Sequence, residues 1–353
     1  MNSPNTFYTA TKSTVENSLS RNPSTGAPFF ALSDSSSPTS WLNYAGVSSI
    51  FTDALTGGSD NLHAFIHAED HYHDEQNLNP ENEYYARIGY SRATSPTSSF
   101  SLISTKQNGS TSPYIISSFQ DEDDTDFVTA FNPQNPYSGG APGTAFGVGS
   151  PSVIEDGSYY YMVYTRWLTE FGVPANMRPT QILKLGSVYH SICVARALKS
   201  SVLSPNFASN ENPWKNYYNG SWNTDALGGY ASGVIPKATN DATTDVSALG
   251  GYRAFPVLFY VIELSEYAVI CTGPTGFIIH LTINEDLSNW TTGQTFLTPQ
   301  QAGVSALLYP SVADDMYGDD DYVSKNGKLY YGVDTDGVGG GHTMERRSIN
   351  FSN

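Results

Sequence analysis

Apolar and polar residues alternate along this chain in short bursts, without the slower rhythm of helices. Runs such as GVGSPSVIEDGSYYYMVYTRW (147–167), SICVARAL (191–198), AFPVLFYVIEL (254–264) and EYAVICTG (266–273) are rich in Val, Ile, Tyr and Phe. Gly, Pro, Asn and Asp bound them, so they read as β-strands. No segment keeps a 3.6-residue apolar period over about four turns, which argues against a helical architecture.

The strands recur as a unit: a small or polar entry, a short apolar run, a turn, a Tyr-rich strand, then a third strand. The unit is clearest over 147–198 and returns over 307–351, where LLYPSVADD, NGKLYYGVDTD and MERRSINF follow one another. A shared PSV at 151–153 and 310–312 sets the register, and looser copies span 252–290 and 46–93. Repeated three- or four-stranded units separated by large loops predict propeller blades. The expected fold is all-β, a single five-bladed β-propeller over 1–353. Residues 1–45, with FFALSDS at 29–35, would supply a degenerate fifth blade or close the ring. A β-sandwich is the alternative, and the repeated register tells against it. Glu155-Asp156-Gly157 reads as a hairpin turn. The inserts 94–146 and 199–251 read as long loops, and NPWKNYYNGSWNTDALGGY (212–230) is either a packed surface loop or one wall of a binding cleft.

Charge narrows the partners. With 17 Lys and Arg against 34 Asp and Glu, the net charge is −17. Nucleic acid is excluded as a general partner because phosphates need a basic surface. No apolar run is long enough to span a bilayer, so no membrane insertion is expected. Charged residues make up only 14%, below the roughly 25% of an average domain. The surface must then rely on Ser, Thr, Asn, Gln and Tyr, a chemistry that suits carbohydrate and that many secreted β-proteins share. Residues 1–20 lack the regions of a signal peptide. An extracellular, secreted protein is nonetheless expected, its signal already removed. Sequons at Asn108, Asn219, Asn289 and Asn350 would allow glycosylation. Cys193 and Cys271 sit in apolar runs and read as buried thiols, with a disulfide as the alternative. No feature of the sequence specifies an oligomeric state.

Glycoside cleavage needs two carboxyl groups flanking the bond. The densest polar cluster is HAEDHYHD (67–74), with His67, Glu69, Asp70, His71, His73 and Asp74. It suits acid–base or metal chemistry, and a hydrated ion-paired loop is the plainer reading. Matching strand ends in other units are Thr165-Arg166, Thr272-Gly273 and Asp334-Thr335-Asp336. Asp334 or Asp336 then offers a second carboxyl, although DTDGVGGG is also ordinary turn chemistry. A structural calcium ion is compatible with such a loop, which lacks the closing Glu of a full calcium motif.

PSVIEDGSYYYMVYT and INEDLSNW resemble segments of the five-bladed glycosidases of glycoside hydrolase families 43, 32 and 62. HAFIHAEDHY, SICVARA and NPWKNYYNGSW look more like secreted propellers related to those enzymes. The resemblance covers roughly 46–351 and implies a glycosidase acting outside the cell. It departs from family 43 at the residue before the first-strand Pro, normally Asp, which here is Ser150 in one unit and Tyr309 in another. No Glu-Gly-Pro acid motif is present. The resulting expectation is an extracellular glycoside hydrolase of a polysaccharide or oligosaccharide. Its catalytic groups would be Glu69, Asp70 and Asp334. His67, His71, Arg166, Tyr218, Trp222 and Asp336 would bind substrate, and no cofactor would be required. A non-catalytic carbohydrate-binding or assembly propeller is the alternative, and a metal-dependent enzyme using His67, His71 and His73 a third.

Overall fold

A computed structural model describes residues 6–8, 28–31, 44–52, 62–70, 84–93, 101–117, 145–169, 188–229, 231–235, 254–273, 275–283, 286–314, 321–334 and 342–351. These residues form an all-β propeller. Strands β1 (Thr6–Tyr8) and β2 (Pro28–Ala31) pair with each other. The first blade is the antiparallel meander β3 (Tyr44–Thr52), β4 (Leu62–Asp70) and β5 (Tyr84–Ala93). Short strands follow it: β6 (Ser101–Leu102), the hairpin β7 (Thr105–Gln107) and β8 (Ser110–Ser112), and β9 (Tyr114–Ile116). Of these, β6 and β9 pair with β5.

The second blade runs outward as β10 (Ala145–Asp156), β11 (Tyr159–Thr169), β12 (Val188–Leu198), β13 (Lys215–Tyr218) and β14 (Ser221–Asp225). The third is β15 (Ala254–Val261), β16 (Glu266–Gly273), β17 (Gly276–Leu281) and β18 (Gln294–Leu297). The fourth is β19 (Ala306–Asp314), β21 (Asn326–Asp334) and β22 (His342–Asn350), while β20 (Tyr322–Val323) joins the inner strand of the third blade. The fifth-blade expectation falls on 1–45, most of which lies outside the described residues.

Hydrophobic burial explains this radial stacking. One core, with Phe51, Phe65, Tyr160 and Met162, lies between the first and second blades. A second, with Tyr161, Val163, Leu258 and Val269, joins the second to the third. A third, with Phe259, Ile270, Val312 and Leu329, joins the third to the fourth. Along β11 the side chains alternate: Tyr160, Met162 and Tyr164 face one interface, Tyr161 and Val163 the other. A strand buried on both faces reads as a continuous apolar run, which is why SYYYMVY shows no polar alternation.

Local chemistry fixes the turns. The hairpin expected at Glu155-Asp156-Gly157 is present, but Glu155 and Asp156 still pair in β10 and the two-residue turn is Gly157-Ser158, with Gly157 at φ +53°. Asn108-Gly109 and Asn219-Gly220 form two-residue hairpins with positive φ at all four positions, the geometry Asn-Gly favours. Two of the four sequons are therefore turn residues. The Asp-Leu-Ser-Asn-Trp segment is also structural: Leu287 takes φ +58°, and the Trp290 indole donates to the Leu287 carbonyl at 2.8 Å. The 212–230 stretch, expected as a loop, is chiefly the hairpin of β13 and β14. Its Trp214 is wholly buried against Phe65, so the aromatics that suggested a cleft wall partly serve the core. Cys193 and Cys271 are buried free thiols in different cores.

Candidate functional site

The innermost strands β3, β10, β15 and β19 surround one cavity of about 310 Å³ on the propeller axis. Each carries a register shift at the same height, at Val47/Ser49, Gly149/Ser152, Ala254/Val257 and Leu308/Ser311. In the last three blades the bulged residue precedes proline and has left-handed φ: Ser150 (+50°), Phe255 (+53°) and Tyr309 (+50°). Such backbone costs roughly 1–2 kcal/mol per residue and concentrates where a fold turns side chains toward a site. All three line the cavity, as does Ser48 in the first blade. Phe255 and Tyr309 meet edge to face at 4.7 Å, and Tyr309 is 52% exposed.

The blades are stitched together at this height. Ser49 Oγ accepts from the Val153 N–H at 3.1 Å, and Ser152 Oγ accepts from the Leu258 N–H at 2.9 Å. One level above, His67 Nδ1 accepts from the Ser150 N–H at 3.1 Å, and Thr165 Oγ1 accepts from the Phe255 N–H at 3.0 Å. His67 and Thr165 are equivalent, each two residues beyond the partner of the bulge serine in its own blade.

This register places the expected site residues. His67 is buried and lines the cavity. Counting from the bulge partners Phe65 and Tyr330, Glu69 on β4 and Asp334 on β21 occupy the same position in the first and fourth blades. Thr165 thus matches Gly332, two residues before Asp334, so the sequence alignment of those strand ends was displaced by two. Asp70 follows Glu69 on β4, while His71, His73 and Asp336 lie outside the described residues.

Arg166 is 3% exposed and is not part of the cavity wall; its guanidinium donates to the Ala231 carbonyl at 3.5 Å. Tyr218 and Trp222 sit on β13 and β14, the outermost strands of the second blade, away from the inner strand that lines the channel. Trp222 instead packs against Tyr161, Tyr217 and Arg196. The structure therefore brings His67 to the channel, but not Arg166, Tyr218 or Trp222. Ser150, Phe255 and Tyr309 join it, and their shared X-Pro signal was visible in the sequence. Among the described residues, no group of three or more His, Cys, Asp or Glu side chains could hold a metal ion.

No family model matches the chain, and no curated protein matches it. Solved structures do. The chain resembles glycoside hydrolases in fold. An α-L-arabinofuranosidase from Lactobacillus brevis overlaps 83% of this chain and 69% of its own, with 8% identity and a TM-score of 0.41. Zg3597, a family 117 glycoside hydrolase from the marine bacterium Zobellia galactanivorans, overlaps 87% and 71%, with 10% identity and a TM-score of 0.37. A GH62 hydrolase in complex with xylotriose shares 15% identity over 57% of this chain, with a TM-score of 0.33. The chain spans only 46% of that protein's length. Likeness at this level assigns no activity or mechanism to this chain.

Proposed function

We propose that the protein is an extracellular glycoside hydrolase, acting on a polysaccharide or oligosaccharide at the rim of the axial channel. Glu69 and Asp334 would be its acid–base pair. The observation supporting this most is their equivalence: Glu69, the penultimate residue of β4, and Asp334, the last of β21, each lie two residues beyond the level of His67 and Gly332. One carboxyl would protonate the leaving oxygen, and the other would activate water or attack the anomeric carbon. The rim suits a neutral sugar. Ser150 offers a hydroxyl, and Phe255 with Tyr309 an aromatic edge. His67 presents a ring whose Nδ1 is already engaged.

A screen against plant, algal and bacterial polysaccharides should find turnover. In that assay Glu69→Gln and Asp334→Asn should each reduce kcat by about 10²–10⁴-fold with the fold retained. Undiminished turnover in both variants would sink the assignment. A non-catalytic carbohydrate-binding channel is favoured by a different observation. The four bulge positions hold Ser48, Ser150, Phe255 and Tyr309, and Asp321 is the one carboxylate among the described cavity residues. Saturable binding without turnover across the panel, unaffected by either substitution, would establish that reading instead.

A further inference from the structure

A second pocket opens at the other end of the inner strands, open to solvent and about 350 Å³ in volume. Its walls include Asp156, Tyr260, Ser265, Glu266, Tyr267 and Thr282. Asp156 closes β10 six residues after Ser150, about 20 Å along a strand rising ~3.3 Å per residue. The pocket is therefore separate from the channel rim.

Three strand ends build it. The β15–β16 turn is closed by the Ser265 N–H donating to the Ile262 carbonyl at 3.2 Å, with Ser265 at φ +55°. The turn sets Tyr260 edge-on to Tyr267, with ring centres 5.0 Å apart, and Tyr322 approaches Tyr260 to 5.7 Å. The Tyr267 hydroxyl is held well above its ordinary pKa by burial and by its hydrogen bond to Asp156, so it remains a neutral donor.

The charge of the pocket is unbalanced. Asp156 and Glu266 both line it, and none of its lining residues is basic. Two cations on the neighbouring second blade are committed elsewhere. Lys199 pairs with Glu155. Arg196 lies over the rings of Tyr159 and Trp222, at 4.7 and 4.5 Å, and hydrogen-bonds Tyr161. Among the described residues, neither Asp156 nor Glu266 has an ion-pair partner.

Two carboxylates beside tyrosine faces in a recess form the electrostatic complement of an organic cation, because the ring quadrupole and the carboxylates attract the same sign of charge. We propose that this pocket binds an organic ammonium group, the amine of an amino sugar or a quaternary ammonium. Glu266 and Asp156 would be its counter-charges and Tyr260 its aromatic face.

Calorimetric titration of the full chain at low ionic strength tests this with three probes: tetramethylammonium chloride, the glucosamine trimer and the neutral N-acetylglucosamine trimer. Saturable binding of either cation at one site, about tenfold or more tighter than the neutral trimer, is the expected result. Which cation binds tells a quaternary source from a sugar amine. Glu266→Gln, with an unchanged thermal melt, and Tyr260→Ala, with a lowered melt but the fold retained, should each weaken binding about tenfold. Met344→Ala, on the exposed outer strand of the fourth blade, should leave it unaltered. Absence of saturable binding below about 10 mM, equal binding of the neutral trimer, or indifference to Glu266→Gln would overturn the proposal.

Discussion

Ser150 donates its backbone N–H to Nδ1 of His67 across 3.1 Å, joining the inner strand of the second blade to the second strand of the first. That bond needs the Nδ1 lone pair, so the neutral ring carries its proton on Nε2. A long-range ¹H–¹⁵N spectrum should show the Nε2-protonated tautomer. His67→Ala should remove the acceptor of a half-buried N–H and cost about 1–3 kcal/mol in urea unfolding. A cost below ~0.5 kcal/mol would show that the bond adds nothing to the interface.

Ser49 and Ser152 make the same inter-blade bond at successive interfaces, to Val153 and Leu258. Each Ser→Ala change should cost about 1 kcal/mol. Val153 directly follows Ser152, so the two bonds adjoin on β10, and the double variant should depart from the sum by about 0.5 kcal/mol or more. Denaturant midpoints at constant slope check both expectations.

The Cys193 thiol is pushed up to about 11 from an ordinary value of 9.0. Burial is the main cause; the Arg166 charge and a hydrogen bond with Ser191 pull weakly the other way. The unfolded chain releases this proton near pH 9 and the folded one only near pH 11. This contribution is intact below about pH 9 and is lost as pH rises to 11, at roughly 1.4 kcal/mol per pH unit. Native protein at pH 8 should resist a thiol reagent that modifies Cys193 and Cys271 once urea unfolds it.

Tyr309 is half exposed and makes its aromatic contact with Phe255 at the cavity wall. Tyr309→Ala should cost only about 0.5–1.5 kcal/mol of stability. If the channel takes sugar, KM or Kd for the ligand found in the screen should rise several-fold. An unchanged affinity would remove Tyr309 from the binding surface.

The strands, their turns and the blade repeat were legible because each rests on local chemistry. Val, Ile and Tyr runs, the Asn-Gly turns and the shared Pro-Ser-Val need no knowledge of distant residues. His67 as a channel residue was legible for the same reason, since the blade register carries it there. Arg166 and Trp222 were not. Whether a strand-end arginine faces a channel or is buried beneath Ala231 depends on the packing of segments far apart in sequence.

By itself, the sequence determined an all-β chain of repeated blades, because strand periodicity and turn residues act over a few positions. Only the tertiary structure decided that Ser150, Phe255 and Tyr309 meet at one axis, that Glu69 matches Asp334, and that Asp156 and Glu266 share a recess. The physical reason is that a bulge shifts register by a residue or two, and the ring then multiplies that small local shift into which side chains converge.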